Sequence, residues 1–142
     1  MKKLFLMMAM MLTAFAASAF DFDGIDLNAP YSTVAQEISK RGYVYDNEQN
    51  CLKGNCQGTE IYLSFNYIDV TKNGQVGQLI VTIPMSNTEE ALKTTASLFN
   101  VVYHLVAPNT YAVDNDGTKV IISANTNNLI LTYNTPYYKE KK

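Results

Sequence analysis

Apolar residues recur along this chain at two different spacings, and the spacing separates predicted helices from predicted strands. Spacings of three and four residues predict a short helix over 32–41, which ends at Gly42, and a longer one that runs to about Leu105. Pro108 blocks any continuation of the second helix. Two helices are therefore expected, each near the start of one half of the chain.

Strands are predicted where apolar and polar residues alternate. The clearest is 59–70, and in it Ile61, Leu63 and Phe65 occupy one set of alternate positions. The other predicted strands are 43–45, 76–83, 111–113, 119–124 and 129–133. Asn73 and Gly74 predict a tight hairpin turn after the clearest strand. The order is a helix and then three strands, twice.

This order predicts an α+β fold, because hairpins rather than helical crossovers join the strands. We expect an antiparallel sheet of about six strands with two helices on one face. Composition shows no linker, so residues 20–142 are expected to form a single domain. Possible half-repeats at 24–84 and 85–138 would make it a tandem α-β-β-β repeat.

The N-terminal segment 1–19 has the pattern of a secretory signal peptide. Two lysines precede an apolar run at 4–15, and the small residues Ala17 and Ala19 precede an expected cleavage site before Phe20. The run is too short to span about 30 Å of hydrocarbon, so no membrane insertion is expected after cleavage. The chain contains no Asn-x-Ser/Thr acceptor for glycosylation, which favours a bacterial periplasmic or secreted protein.

Charge narrows the class of partner. The formal net charge is −2, and cleavage before Phe20 would remove Lys2 and Lys3 and change it to −4. An acidic chain without a basic stripe argues against nucleic acid as a partner, and no cofactor motif is present. A protein partner is the remaining expectation, and the oligomeric state is left open.

Cys51 and Cys56 are the two cysteines of the chain, and they flank a polar segment that reads as a loop. Export to an oxidising compartment predicts a disulfide between them. The spacing is not Cys-x-x-Cys, and no further thiolate or imidazole lies nearby in sequence, so neither a redox site nor a metal site is expected.

The single histidine, His104, is predicted on the polar face of the second helix, near its C-terminus. No nucleophile motif or second ligand accompanies it, and the acidic clusters at 21–26 and 114–116 lack the spacing of a calcium loop. No catalytic residue and no metal ligand are therefore assigned.

One face of the clearest strand is a candidate binding surface. Glu60, Tyr62, Ser64 and Asn66 alternate with its apolar row, so they share the opposite face. An aromatic ring among hydrogen-bonding groups suits protein or glycan contact, although the strand propensity of tyrosine alone would also explain Tyr62. The absence of tryptophan weighs against glycan.

The stretch Phe22-Asp23-Gly24-Ile25, followed by a short helix ending at Gly42-Tyr43, resembles small exported proteins of unknown function from Bacteroidetes-type bacteria. The order of helices and strands also resembles the tandem repeats of β-lactamase-inhibitor-like and PepSY-like periplasmic domains. The resemblance implies a binding or inhibitory role carried by an antiparallel sheet.

These observations favour an exported, non-enzymatic binding module or inhibitor-like protein that presents a sheet face to a protein partner. One alternative is a small exported hydrolase with a scattered active site that includes His104. Another is an envelope-associated structural subunit. A deep pocket around His104 would favour the hydrolase, whereas an open sheet with exposed tyrosines would favour the binding module.

Overall fold

The computed structural model describes residues 21–138 apart from 23–24, 28, 57, 67, 69–73 and 114–116. Three predicted features lie wholly or partly outside the described residues. They are the signal peptide, the clearest predicted strand at positions 67, 69 and 70, and the predicted turn at Asn73. The elements are β1 (Asp21–Phe22), β2 (Ile25–Asp26), α1 (Tyr31–Lys40), β3 (Val44–Asp46), β4 (Cys51–Cys56), β5 (Thr59–Asn66), β6 (Gln78–Pro84), α2 (Thr88–Val102), β7 (His104–Ala107), β8 (Thr110–Ala112), β9 (Lys119–Ala124) and β10 (Asn128–Asn134).

An antiparallel sheet of eight strands organises the described chain, in the order β3-β4-β5-β6-β10-β9-β8-β7. The α+β class is confirmed, but the expected count of about six strands is wrong. Each half contributes a helix and then four consecutive strands, and the halves join where Val81 of β6 lies opposite Leu131 of β10. Descent of the two halves from one repeat stays a prediction.

The two strands of the eight-stranded sheet that the sequence did not indicate are β4 and β7, and the short pair of β1 and β2 was not predicted either. β4 contains Gly54, whose missing side chain leaves room for the Tyr43 ring that lies directly over it. β7 takes residues that were expected in the second helix. That helix ends at Val102, because Tyr103 adopts an extended backbone (φ −120°, ψ 171°), and His104 begins the strand.

Alternate side chains of the central strands form one buried cluster with residues of both helices. Leu63, Val81, Leu131 and Ile122 lie opposite one another on four adjacent strands and are almost completely buried. The same cluster includes Val34 and Ile38 of α1 and Ala91 and Phe99 of α2. Their alternate positions in the strands leave every second residue of the sheet pointing away from this core.

The aromatic residues around Phe99 fix α2 over the second half of the chain. The Phe99 ring meets the rings of Tyr103 and Tyr111 edge-on, at centroid distances of 5.0 and 5.6 Å. Edge-to-face contacts of this kind stabilise a pair by about 0.5–1.5 kcal/mol beyond the area that they bury. Packing on this side of the sheet therefore stabilises the fold.

Candidate binding face

The four residues predicted to share a face of β5 do so, and the surface continues over three more strands. The register places Ser64 opposite Ile80, Ile80 opposite Thr132, and Thr132 opposite Ile121. No residue of this surface is buried. We call it the open face: Glu60, Tyr62, Ser64 and Asn66 of β5, Gln78, Ile80 and Thr82 of β6, Ile130, Thr132 and Asn134 of β10, and Lys119, Ile121 and Ser123 of β9.

Three amide side chains are linked across one end of the open face. The Asn66 Nδ2 donates to Gln78 Oε1 at 3.2 Å, and Gln78 Nε2 donates to Asn134 Oδ1 at 2.9 Å. Each amide restricts the rotamers of its neighbour, so less side-chain entropy remains to be lost when a partner binds. This part of the surface is ordered in advance.

Tyr62, Glu60 and Lys53 form a second connected group. The Tyr62 hydroxyl donates to Glu60 Oε1 at 2.8 Å, and Lys53 Nζ lies 3.4 Å from the same oxygen. This hydrogen bond is the main reason why the pKa of Tyr62 is raised, and burial and the Glu60 charge add to the effect. The phenol therefore stays protonated and keeps its hydroxyl as a donor.

Three isoleucines, Ile80, Ile121 and Ile130, occupy outward positions of the open face and are half-buried. Each lies between small hydroxyl residues: Ile130, for example, is opposite Thr82 on one side and Ser123 on the other. These isoleucines lie outside the predicted surface, which comprised only the outward positions of β5. The sequence did contain a signal for them: apolar residues occupy consecutive positions in β6 and β10, so they lie on both faces of the sheet.

A cleft of about 470 Å³ lies where the open face meets the loops before β4 and β10. The described residues that line it carry amide, hydroxyl, thiol and ring groups, and none of them is charged: Gln49, Asn50, Cys51, Tyr62, Ser64, Thr82, Pro84, Asn127 and Asn128. Asn125 Oδ1 holds one loop by accepting from the Asn127 backbone N–H and from Asn128 Nδ2.

The loop on the other side of the cleft is held in the same way. Asp46 Oδ1 accepts hydrogen bonds from the backbone N–H groups of Glu48 and Gln49, at 2.9 and 3.3 Å. The Tyr45 hydroxyl donates to Asn50 Oδ1. The cleft therefore has walls that are fixed by local hydrogen bonds, and it suits an uncharged group with donors and acceptors.

The structure contradicts the predicted disulfide, because no bond joins Cys51 and Cys56. The two residues are the ends of one strand, β4, and five steps along a strand span about 16 Å, whereas a disulfide needs Cα atoms about 4.4–6.8 Å apart. They also project from opposite faces: Cys51 lines the cleft, and Cys56 is buried in the core. The prediction failed because residues 51–56 were taken for a loop.

Cys51 is poorly suited to act as a nucleophile in the cleft. Burial and, to a smaller extent, the nearby charge of Asp46 raise the pKa of its thiol. The thiolate is the reactive form, and its population near neutral pH falls as the pKa rises.

His104 is exposed at the start of β7, not on a helix as predicted, and it is distant from the cleft. β7 is separated from β10 by β9 and β8, which places them about 14 Å apart in the plane of the sheet. The structure therefore does not bring His104 and Tyr62 into one site. The scattered hydrolase site receives no geometric support from the described residues.

Neither a metal-binding cluster nor a membrane-spanning helix occurs among the described residues. This part of the chain has no cluster of three or more His, Cys, Asp or Glu side chains that could hold a metal ion. Among its helices, none combines the length and the apolar character needed to cross a membrane.

No protein-family model, curated protein or solved structure matches this chain. The resemblance to β-lactamase-inhibitor-like and PepSY-like domains therefore stays a prediction.

Proposed function

We propose that this chain is an exported binding module that contacts a protein partner through the open face. One observation carries the proposal: three half-buried isoleucines lie at outward positions on adjacent strands, surrounded by hydroxyl and amide side chains. A sheet face that only met water would favour polar residues at these positions. Apolar residues within a polar rim are typical of a surface that a partner covers.

The proposal includes the position of the helices. Both would cover the opposite face of the sheet, which leaves the open face accessible. This arrangement is supported by the membership of Val34 from α1 and Phe99 from α2 in the same buried cluster as Leu63 and Val81. The outward neighbours Ser64 and Thr82 remain half-buried rather than buried.

The charges and hydrogen-bonding groups of the open face and the cleft indicate the kind of partner surface that they would contact. The centre of the open face would meet an apolar patch, and the uncharged cleft would receive amide or hydroxyl groups of the partner. An anionic group would be unfavourable in the cleft, because the charge of Asp46 acts on Cys51 and the described lining offers no positive charge to compensate desolvation.

The test compares capture by the exported protein with capture by two variants. Ile80→Lys combined with Ile130→Lys places two charges in the proposed interface and should lower partner recovery by at least about tenfold. Val44→Lys is the matched control: Val44 is a β-branched residue, 63% exposed, on the edge strand β3, and the register places it on the same side of the sheet as Tyr62 but two strands beyond it. Recovery is measured by quantitative mass spectrometry after affinity capture from the cell envelope, and thermal unfolding confirms that each variant is folded.

Equal recovery with the isoleucine variant and with the wild type would contradict the proposal.

Export is checked on the same material. The intact mass of the captured chain should correspond to a start at Phe20, and a chain that still contains residues 1–19 would contradict the expected cleavage.

A further inference from the structure

β7 is an outer strand of the sheet, and its side chains are exposed throughout. Among the described strands it pairs with β8 alone, so its other edge presents backbone N–H and C=O groups that can pair with a further strand. Four apolar side chains gather in and just before it: Val101 is 82% exposed, Val102 44%, Leu105 49% and Val106 47%.

The two edges of the sheet differ in charge. The segment from Thr94 through Val113, which includes β7, contains no Asp, Glu, Lys or Arg. The other edge strand, β3, ends with Asp46, and Glu48 follows it. Charged residues are a common protection of sheet edges against further pairing. By this criterion β3 is protected and β7 is not.

The register between β7 and β8 also shifts between Leu105 and Ala107. Such an irregularity bends a strand and limits the number of residues that can pair in sequence. It leaves a short edge of four residues, which suits a defined contact between two strands better than an extended array.

We propose that two copies of this chain associate through β7, edge to edge and antiparallel about a two-fold axis. A two-fold interface requires a surface that is complementary to itself. An uncharged apolar strand meets this requirement, because its own side chains do not repel one another. The chain carries a net charge of −2, so two copies repel each other least when they approach through this uncharged segment.

In this arrangement the sheet continues from one copy into the other, and Leu105 and Val106 of each copy are covered by the same strand of its partner. Val101 and Val102 flank the contact from the end of α2, which lies against β7. The open face is not used, so the dimer and the binding function can be tested separately.

The test measures the mass of the exported protein by sedimentation over a range of protein concentrations. The wild type should have twice the mass of a single chain at high concentration and dissociate on dilution. Val106→Lys places a charge on the edge of each copy and should weaken association by at least about tenfold. Val44→Lys, a matched change on the other edge strand, should leave the dimer intact.

Three outcomes would overturn the proposal. The first is a wild type that has the mass of one chain at every concentration. The second is a dimer that Val44→Lys disrupts as strongly as Val106→Lys, which would assign the contact to β3. The third is a monomeric wild type that loses a captured partner on Val106→Lys, which would assign the β7 edge to a different protein.

Discussion

The two faces of β5, β6, β9 and β10 share one backbone but differ in the role of their apolar residues. On the inner face, Leu63, Val81 and Leu131 face one another on adjacent strands and are completely buried. One position along, Ile80 lies between Ser64 and Thr132 and is only half-buried. Apolar residues on the first face stabilise the fold, whereas those on the second remain available to a partner.

This difference implies that substitutions should separate into two classes. Changes on the inner face should lower stability whatever the partner does, because they leave cavities or buried polar groups. Changes on the open face should alter binding with little effect on stability.

The largest effect is expected for Leu131→Ala on the inner face. Leu131 is completely buried in the central strand β10, so its truncation leaves a cavity and should lower the free energy of unfolding by about 2–5 kcal/mol. Thr132→Val, one position along on the open face, keeps the β-branched shape and should change it by less than about 0.5 kcal/mol. Urea unfolding of both variants measures the difference. Similar losses in the two would show that the open face is also packed.

Gly54→Ala tests the packing of the buried Tyr43 ring against β4. The added Cβ would overlap the Tyr43 ring, which is itself buried, so the ring has to move and unfolding should become easier by about 1–3 kcal/mol. In a Tyr43→Ala background the same change should cost little, because the ring is no longer there. Thermal unfolding of the single and double variants gives the coupling, and a cost that persists without the ring would contradict this explanation.

Cys51 and Cys56 project from opposite faces of β4, so substitutions at these positions compare the two faces within a single strand. Cys56→Ser places a hydroxyl group in the core and should lower stability by about 1–3 kcal/mol, whereas Cys51→Ser should change it by less than about 0.5 kcal/mol. Thiol titration of the protein purified from its native cells, unfolded without reductant, should detect two reactive thiols. Detection of none would show that a disulfide forms, and β4 could not then be a continuous strand.

The smallest effect concerns the open face alone. Because the hydrogen bond to Glu60 raises the pKa of Tyr62, the phenol should ionise at a higher pH than an ordinary tyrosine. Any stability from this bond is complete below the pKa of the unfolded chain and is lost as the pH rises through the folded pKa. Glu60→Gln should lower the pKa of Tyr62, measured as the difference in ultraviolet titration between proteins with Tyr62 and with Phe at this position. An unchanged pKa would contradict the assigned cause.

Sequence patterns predicted the inner face well because alternation and burial have the same physical origin. The strands predicted at 59–70, 119–124 and 129–133 correspond to β5 (Thr59–Asn66), β9 (Lys119–Ala124) and β10 (Asn128–Asn134), although residues 67 and 69–73 are outside the described residues. The left-handed conformation of Gly42, with φ +86°, ends α1 as expected. The four outward residues of β5 also share a face as expected.

The parts that were missed depend on contacts distant in sequence. β4 is a strand because β5 pairs with it and Tyr43 covers Gly54, and neither is visible in the polar segment around Lys53. The end of α2 was misplaced because Val102 and Val106 continue the helical spacing, whereas pairing with β8 draws His104 into a strand. The isoleucines of the open face were overlooked because only the register shows that they lie on adjacent strands with Ser64.

Photo-cross-linking in the intact cell can show whether a protein partner covers the open face. A photoreactive residue at Thr132, in the middle of the open face, is compared with one at Ser97, an exposed position on α2. We expect an adduct between this chain and a different protein from position 132, and none from position 97. Adducts of equal yield from both positions, or from position 97 alone, would contradict the assignment of the open face as the binding surface.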